Sequence, residues 1–130
     1  MGGGYEFDGR EIRSLDEEAV RDAARDMASK GLRSAAVSGV FSPINGTMEK
    51  RIAEIILEEN PTAHVTLSSE IGRVGLIERE NATIMNASLA DLSKTVVGAF
   101  REALRELSFT CDFYISQNDG TLMTAEFAEK

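Results

Sequence analysis

Three short apolar runs, Ala35-Ala36-Val37-Ser38-Gly39-Val40, His64-Val65-Thr66-Leu67-Ser68 and Cys111 through Ser116, are separated by stretches whose apolar residues recur at helical spacing. That alternation constrains the fold more than any single motif. Strands joined by helices favour a parallel sheet with right-handed crossovers. The first run lacks strict apolar–polar alternation, which predicts burial on both faces. The second sets Val65 and Leu67 on one face. The expected fold class is α/β, a three-layer-type segment with a small, mainly parallel sheet of three strands and crossover helices.

The helices carry their own punctuation. Ser14 and Glu17 have capping-box spacing, and Asp16, Glu17 and Glu18 place negative charge at the start of a helix. Val20, Ala23, Ala24 and Met27 form its apolar stripe, and Gly31 supplies a left-handed stop. From about Thr47 the period is helical again. Met48, Ile52, Ile55 and Ile56 lie on the apolar side; Glu49, Lys50, Arg51, Glu54, Glu58 and Glu59 lie on the polar one. Asn60-Pro61 ends that helix, since the residue before proline avoids the α region. After an irregular passage from Ile71 to Gly75, a long helix is predicted from near Ile77 to Leu107. Met85, Leu89, Leu92, Val96, Ala99, Phe100, Ala103 and Leu107 form its expected buried stripe, with Ser88, Ser93 and Gly98 as weak points. Thr124 to Lys130 reads as the first turns of another helix.

Residues 1–13 form either an edge hairpin around Asp8-Gly9 or a loose arm, and residues 14–130 a single α/β domain. A chain of 130 residues has room for one core. Both ends look cut, which suggests a fragment of a larger protein. The net charge of −8 argues against general nucleic-acid binding and against electrostatic attachment to anionic membranes. One cysteine, Cys111, rules out an internal disulfide framework and fits a reducing, cytoplasmic setting. With one His and one Cys, the chain cannot assemble a closed zinc site of the usual type, and no metal ligand set is assigned.

If the three strands are parallel, their carboxyl ends share one sheet edge, where open α/β folds bind ligands. Those ends are Ser38 to Ser42, Ser68-Ser69-Glu70 and Ser116-Gln117-Asn118-Asp119. The last is part of Asp112 to Thr121, an apolar strand that runs into small polar residues and a glycine. Two readings stand together. Asn118-Asp119-Gly120 is a tight-turn sequence, with Thr121 to Thr124 able to pair back as a strand. At the end of a third parallel strand it is also a candidate loop for hydrogen-bonding a polar small molecule. The candidate substrate contacts are therefore Ser116, Gln117, Asn118, Asp119, Gly120 and Glu70. Catalytic residues are not assigned.

No Gly-x-Gly-x-x-Gly, no Gly-x-x-x-x-Gly-Lys-Ser/Thr and no Gly-x-Ser-x-Gly sequence occurs. His64 is expected to be a packed or surface residue and Cys111 an inert buried thiol. Glu78-Arg79-Glu80 reads as a solvated helix start, or alternatively Arg79 anchors a carboxylate or an anionic ligand.

Four segments carry a resemblance. Ser42-Pro43-Ile44-Asn45 leading into Glu49-Lys50-Arg51-Ile52 resembles a post-strand segment of the hydantoinase A/oxoprolinase family. Val65 to Ile71 is similar to its V-S-L-S-S-E-V segment, and Glu78-Arg79 with Thr83 to Ala87 to its E-R-T-S-T-T-V-L-N-A helix start. Ser116 to Met123 resembles its Q-S-N-G-G-L-M segment. The order and spacing hold from about Tyr5 to Lys130. The resemblance implies part of an actin-like ATPase fold in a large protein that uses Mg·ATP to open cyclic amides such as hydantoins or oxoproline, with relatives that carboxylate ketones. It also implies an Asp-x-Gly-Gly-Thr and a Ser-Gly-Pro-x-Gly-Gly loop, neither of which is in this chain. ATP and Mg are thus expected of the parent and not of this piece, which would be an inactive internal segment. Its partners would be the rest of the parent polypeptide or a second hydantoinase-type subunit. A non-catalytic α/β module for subunit association or self-association, and part of a ketone carboxylase subunit, are the competing readings.

Overall fold

The computed structural model describes residues 2–72 and 75–128. Its elements are α1 (Glu17–Ser29), β1 (Ser34–Val37), α2 (Thr47–Glu59), β2 (His64–Leu67), α3 (Ser68–Ile71), α4 (Leu76–Glu106), β3 (Tyr114–Ser116), β4 (Leu122–Thr124) and α5 (Ala125–Ala128). This is the mixed α/β order that the sequence implies. The chain divides into two compact units, one ending at Ser88 and one beginning at Leu89, with α4 crossing the division. Arg73 and Val74 of the irregular passage, together with Met1, Glu129 and Lys130, lie outside the described residues.

In the first unit, α1 starts two residues later than the Ser14 capping box implies. Asp16 is the cap, its carboxylate accepting the Ala19 N–H at 3.1 Å. A charged acceptor there also meets the positive end of the helix dipole. At the other end Gly31 takes φ 69°, and the Leu32 and Gly31 N–H groups return to the Met27 and Ala28 carbonyls. This is a Schellman stop, and it turns the chain into β1.

β1 and β2 pair in parallel, Ser34 opposite His64 through Val37 opposite Leu67. The core lies on one face of this pair: Val20 and Ala24 from α1, Val37 and Leu67 from the strands, Ile55 and Ile56 from α2. The helix partners are tied at the surface by Arg51, whose guanidinium grips Glu17 through two bonds of 2.8 Å, and by Arg21 and Arg25 on Glu58 and Glu59. The expectation that β1 is buried on both faces is only half met. Ala36, on the face away from the core, is exposed, while Thr66 of β2 is buried and receives a hydrogen bond from Asn86 of α4. Residues 4–12 form a small hairpin, with Tyr5 bridging Glu11 and donating to the Val40 carbonyl.

Helix α4 is continuous and corrects the expected stripe. Met85, Leu89, Leu92, Val96, Ala99, Phe100, Ala103 and Leu107 are all exposed. The buried positions are Arg79, Thr83, Ala87, Ala90 and Val97, which lie on another side of the helix. Beyond Arg79 the buried side chains, Thr83, Ala87, Ala90 and Val97, are short, and the larger apolar ones stay exposed.

The second unit corrects the third parallel strand. β3 pairs with β4 in an antiparallel hairpin, Tyr114 opposite Thr124 and Ser116 opposite Leu122. A short connection closed by a glycine turn makes this local pairing far easier to form than a crossover. Cys111, expected buried, is exposed. α5 is held by the Thr124 hydroxyl, which accepts the Phe127 N–H, and by Ser93, whose hydroxyl donates to the Ala128 carbonyl. Among the described residues no helix is long and apolar enough to cross a membrane.

The core assignment makes a direct prediction. Ile55 is fully buried, so Ile55→Ala should lower the unfolding free energy by about 2–5 kcal/mol. Gly31→Ala forces an alanine into the left-handed region and should cost about 1–2 kcal/mol. Urea titration followed by circular dichroism measures both. A loss below about 1 kcal/mol for Ile55→Ala contradicts this core.

Candidate functional site

At the carboxyl edge of the parallel pair the chain leaves β1 through residues 38–46 and leaves β2 directly into α3. These connections need partners for backbone groups that the two-strand ladder no longer satisfies. Glu49, in the first turn of α2, supplies them. Its Oε1 accepts the Gly39 N–H at 2.8 Å and the Ser68 hydroxyl at 2.5 Å, and its Oε2 accepts the Ser69 N–H at 2.9 Å. The Ser68 proton is committed to Glu49, so Ser42 is the donor in the 3.1 Å contact between the two hydroxyls.

Arg79 enters from the other side. Its Nε donates to Ser68 Oγ at 2.9 Å, its Nη2 to the Gly39 carbonyl at 2.5 Å and its Nη1 to the Gly75 carbonyl at 3.4 Å. Thr83, one turn along α4, donates to the Arg79 carbonyl at 2.7 Å. Ser68 Oγ thus gives one hydrogen bond and accepts two, which exhausts a hydroxyl. Glu49 and Arg79 are each 2% exposed and Ser68 is fully buried. The aliphatic stem of Arg79 also restricts the residue at position 72. A Cβ on Gly72 would sit 2.9 Å from Arg79 Cγ, so only glycine lets α3 end against this side chain.

Burial pushes the Glu49 carboxyl up, but the surrounding hydrogen bonds, led by those from the Ser68 hydroxyl and the Ser69 amide, outweigh it and hold the group below the usual carboxylate range. Glu49 is therefore ionised at neutral pH, and each of its oxygens already has a donor. It is built to orient backbone rather than to move protons. The solvated-start reading of Glu78-Arg79-Glu80 is corrected for Arg79, which is a buried anchor, while Glu78 and Glu80 are exposed. The placement of Glu49 on the solvated face of α2 is corrected too. The signal for it is positional: Glu49 is the third helical residue after Gly46, which caps with no side chain. A glutamate there folds back over the helix start.

Beside the cluster lies a cavity of about 590 Å³, bounded by α1, α2, β1 and Gly2 to Tyr5. Leu15, Met27 and Ile52 are among its apolar lining residues, and Ser38, Asn45 and Glu49 among its polar ones. Its size falls in the range of small-molecule sites.

The sequence-predicted contacts fall on both units. Glu70 lies in α3, exposed, next to the Ser69 amide that binds Glu49. Ser116 ends β3, Gln117, Asn118, Asp119 and Gly120 form the β3–β4 turn of the second unit, and all five are exposed. That turn is internally bonded: Gln117 N–H to the Thr121 carbonyl at 2.8 Å, Gly120 N–H to the Gln117 carbonyl at 3.0 Å, with Gly120 at φ 84°. Asp119 Oδ1 accepts the Thr121 hydroxyl at 2.7 Å and its N–H at 2.9 Å, and these bonds lower the Asp119 carboxyl. The tight-turn reading of this stretch is the one the hairpin realises.

Two outcomes follow for the cluster. Glu49→Gln places an amide NH₂ among donors and should cost about 3 kcal/mol at pH 7. Because the folded carboxyl is depressed, its contribution is fully present above the unfolded value of about 4.3 and is lost as pH falls through the lower folded value. Stability of the parent chain should therefore drop on the acid side, and Glu49→Gln should show a shallower drop. Denaturant melts between pH 7 and pH 3 measure this, and parallel acid limbs for the two proteins would contradict it.

Residues 1–60 match the hydantoinase/oxoprolinase N-terminal region. The chain is 31% identical over 118 residues to the acetophenone carboxylase gamma subunit of Aromatoleum aromaticum. It is 27% identical over 117 residues to the acetone carboxylase beta subunit of Xanthobacter autotrophicus. In both cases the match covers 86% of this chain and 16% of the relative, so the chain spans about one sixth of the length of these proteins. Glu49, Ser42 and the end of α2 lie inside the matched sixty residues. The chain belongs to the hydantoinase/oxoprolinase family.

Proposed function

We propose that this chain is a scaffolding part of a hydantoinase/oxoprolinase-type subunit, with no catalytic group of its own. The whole protein opens a cyclic amide such as a hydantoin or an oxoproline ring in an ATP-dependent reaction in the cytoplasm. The observation that carries the scaffolding role is the Glu49–Ser68–Arg79 cluster, whose hydrogen-bonding capacity is used to join two strand ends to the starts of α2, α3 and α4. A carboxylate so engaged holds the edge of a cleft in shape. Glu70 and the turn from Ser116 to Gly120 are proposed to contact substrate in the whole protein, within the actin-like ATPase fold that the family resemblance implies.

Mg·ATP is proposed to bind outside this chain. What supports this is the lining of the cavity, which is mainly apolar and, among the described residues, brings no lysine or arginine to a phosphate. The described residues also hold no group of three His, Cys, Asp or Glu side chains placed to bind a metal ion. These residues do not fit the nucleotide.

A second reading has its own support, since both curated relatives are ketone carboxylase subunits. In that reading the parent carboxylates a ketone together with partner subunits. The test compares this chain with the polypeptide that carries it, each given Mg·ATP and hydantoin, oxoproline, acetone or acetophenone. The chain alone should consume no ATP above the protein-free control, while the larger polypeptide with its partners turns over one substrate class. Ring opening supports the first reading, and ketone carboxylation replaces it with the second. ATP consumption by the chain alone that Glu49→Gln abolishes would overturn the scaffolding role.

A further inference from the structure

Strand β1 has two hydrogen-bonding edges, and β2 uses one of them. The Arg33 carbonyl accepts the His64 N–H at 2.6 Å, and the parallel register continues from there. Arg33, Ala35 and Val37 therefore turn their backbone groups toward β2, while Ser34 and Ala36 turn theirs away. Among the described residues nothing hydrogen-bonds to the backbone of Ser34 or Ala36. Past the end of the strand, the Val40 carbonyl is taken by the Tyr5 N–H at 3.2 Å.

Edge strands that stay in water are commonly guarded by lysine, proline or an inward-pointing charge. The run Ser34-Ala35-Ala36-Val37-Ser38-Gly39-Val40 has none of these. Beside it there is room. The cavity of about 590 Å³ is lined by Ala35, Ala36, Val37 and Ser38 and by no residue of β2. It adjoins the edge that β2 leaves free.

We propose that this free edge of β1 receives a further β-strand, laid through the cavity, from the part of the parent polypeptide outside this chain. The proposal rests on reading the chain as part of a larger subunit, and not on the reaction that the subunit performs. Backbone chemistry selects an extended segment. Ser34 and Ala36 repeat their donor and acceptor about 6.8 Å apart along one edge, and an extended chain has the same repeat. A compact small molecule answers one of the two residues. Charge selects the side chains. Among the described lining residues Glu49 alone is charged, and its oxygens are already engaged. The side chains that the new strand turns into the cavity are therefore uncharged.

Geometry and tethering select the source. On a second copy the same edge is flanked by Ala23 and Met27 of α1 and by Gly2 to Gly4. Two edges so recessed cannot close to the ~4.8 Å between paired strands. The stretch shared with this chain is only 16% of either relative. A segment from the remaining length is tethered, at an effective concentration on the order of millimolar.

The test compares the chain alone with the larger polypeptide free of partner subunits, by hydrogen exchange and by proline substitution. The Ala36 amide should exchange at least ~100-fold more slowly in the larger polypeptide than in the chain alone. Proline deletes a backbone donor and is tolerated in a strand only where that N–H is unpaired. Ala35→Pro removes a bond to β2 and should lower the urea midpoint of the chain alone, whereas Ala36→Pro should leave that midpoint unchanged. In the larger polypeptide, Ala36→Pro should speed exchange across β1. Fast exchange at Ala36 in both proteins would overturn the proposal. So would protection in the chain alone that grows with its concentration, the mark of a second copy, or protection that requires a partner subunit. None of these readouts needs turnover, so a failed substrate test leaves the strand in place, and a failed strand test leaves the reaction class in place.

Discussion

A buried, ionised glutamate joins the two strand ends of the first unit. Three donors converge on Glu49, two of them backbone amides from connections that follow different strands. In a two-stranded parallel pair each connection begins with amides that the ladder does not satisfy, and here the Gly39 and Ser69 amides are also partly buried. The carboxylate replaces the missing ladder. Arg79 then ties the same serine and the Gly39 carbonyl to the beginning of α4. The apolar core on one face of the strands and the start of α4 are thereby set against a common edge.

This arrangement separates two kinds of stabilisation. The core of Val20, Ala24, Ile55, Ile56 and Leu67 supplies non-directional burial. It cannot by itself decide how the strand ends turn. The polar cluster gives direction, because a half-satisfied buried network is worse than none and every member here finds its partner. Surface ion pairs between α1 and α2 add little, since exposed pairs contribute roughly 0–1 kcal/mol each. Nothing in the cluster is free to act as an acid or a base, which is why the chain is read as a frame for chemistry performed elsewhere.

The legible parts of the fold were those fixed by local chemistry. Gly31 as a stop, Asn60-Pro61 as an end and the parallel pairing of the first two apolar runs are all decided by neighbouring residues or by a short crossover. Pattern and structure part where tertiary context overrules periodicity. A stripe of Leu, Val and Phe on α4 has the period of a core face, yet the periodicity cannot say whether the partner is inside this chain. Similarly, a glutamate among six charged residues on α2 looks solvated until the strand ends that need it are placed. Asp112 to Thr121 held two readings in one sequence, and the hairpin with its Asp119–Thr121 bonds realises the turn. Of the candidate site, the serines at the strand ends were visible, but the residues that organise them were named for other reasons.

Amide hydrogen exchange at Gly39 and Ser69 tests the central claim most directly. Both N–H groups lie outside any strand ladder or helix interior, so only the Glu49 carboxylate protects them. The account predicts that they exchange as slowly as the amides paired between β1 and β2, opening only when the unit unfolds. Exchange as fast as at exposed loop amides would show that the carboxylate does not hold the strand ends.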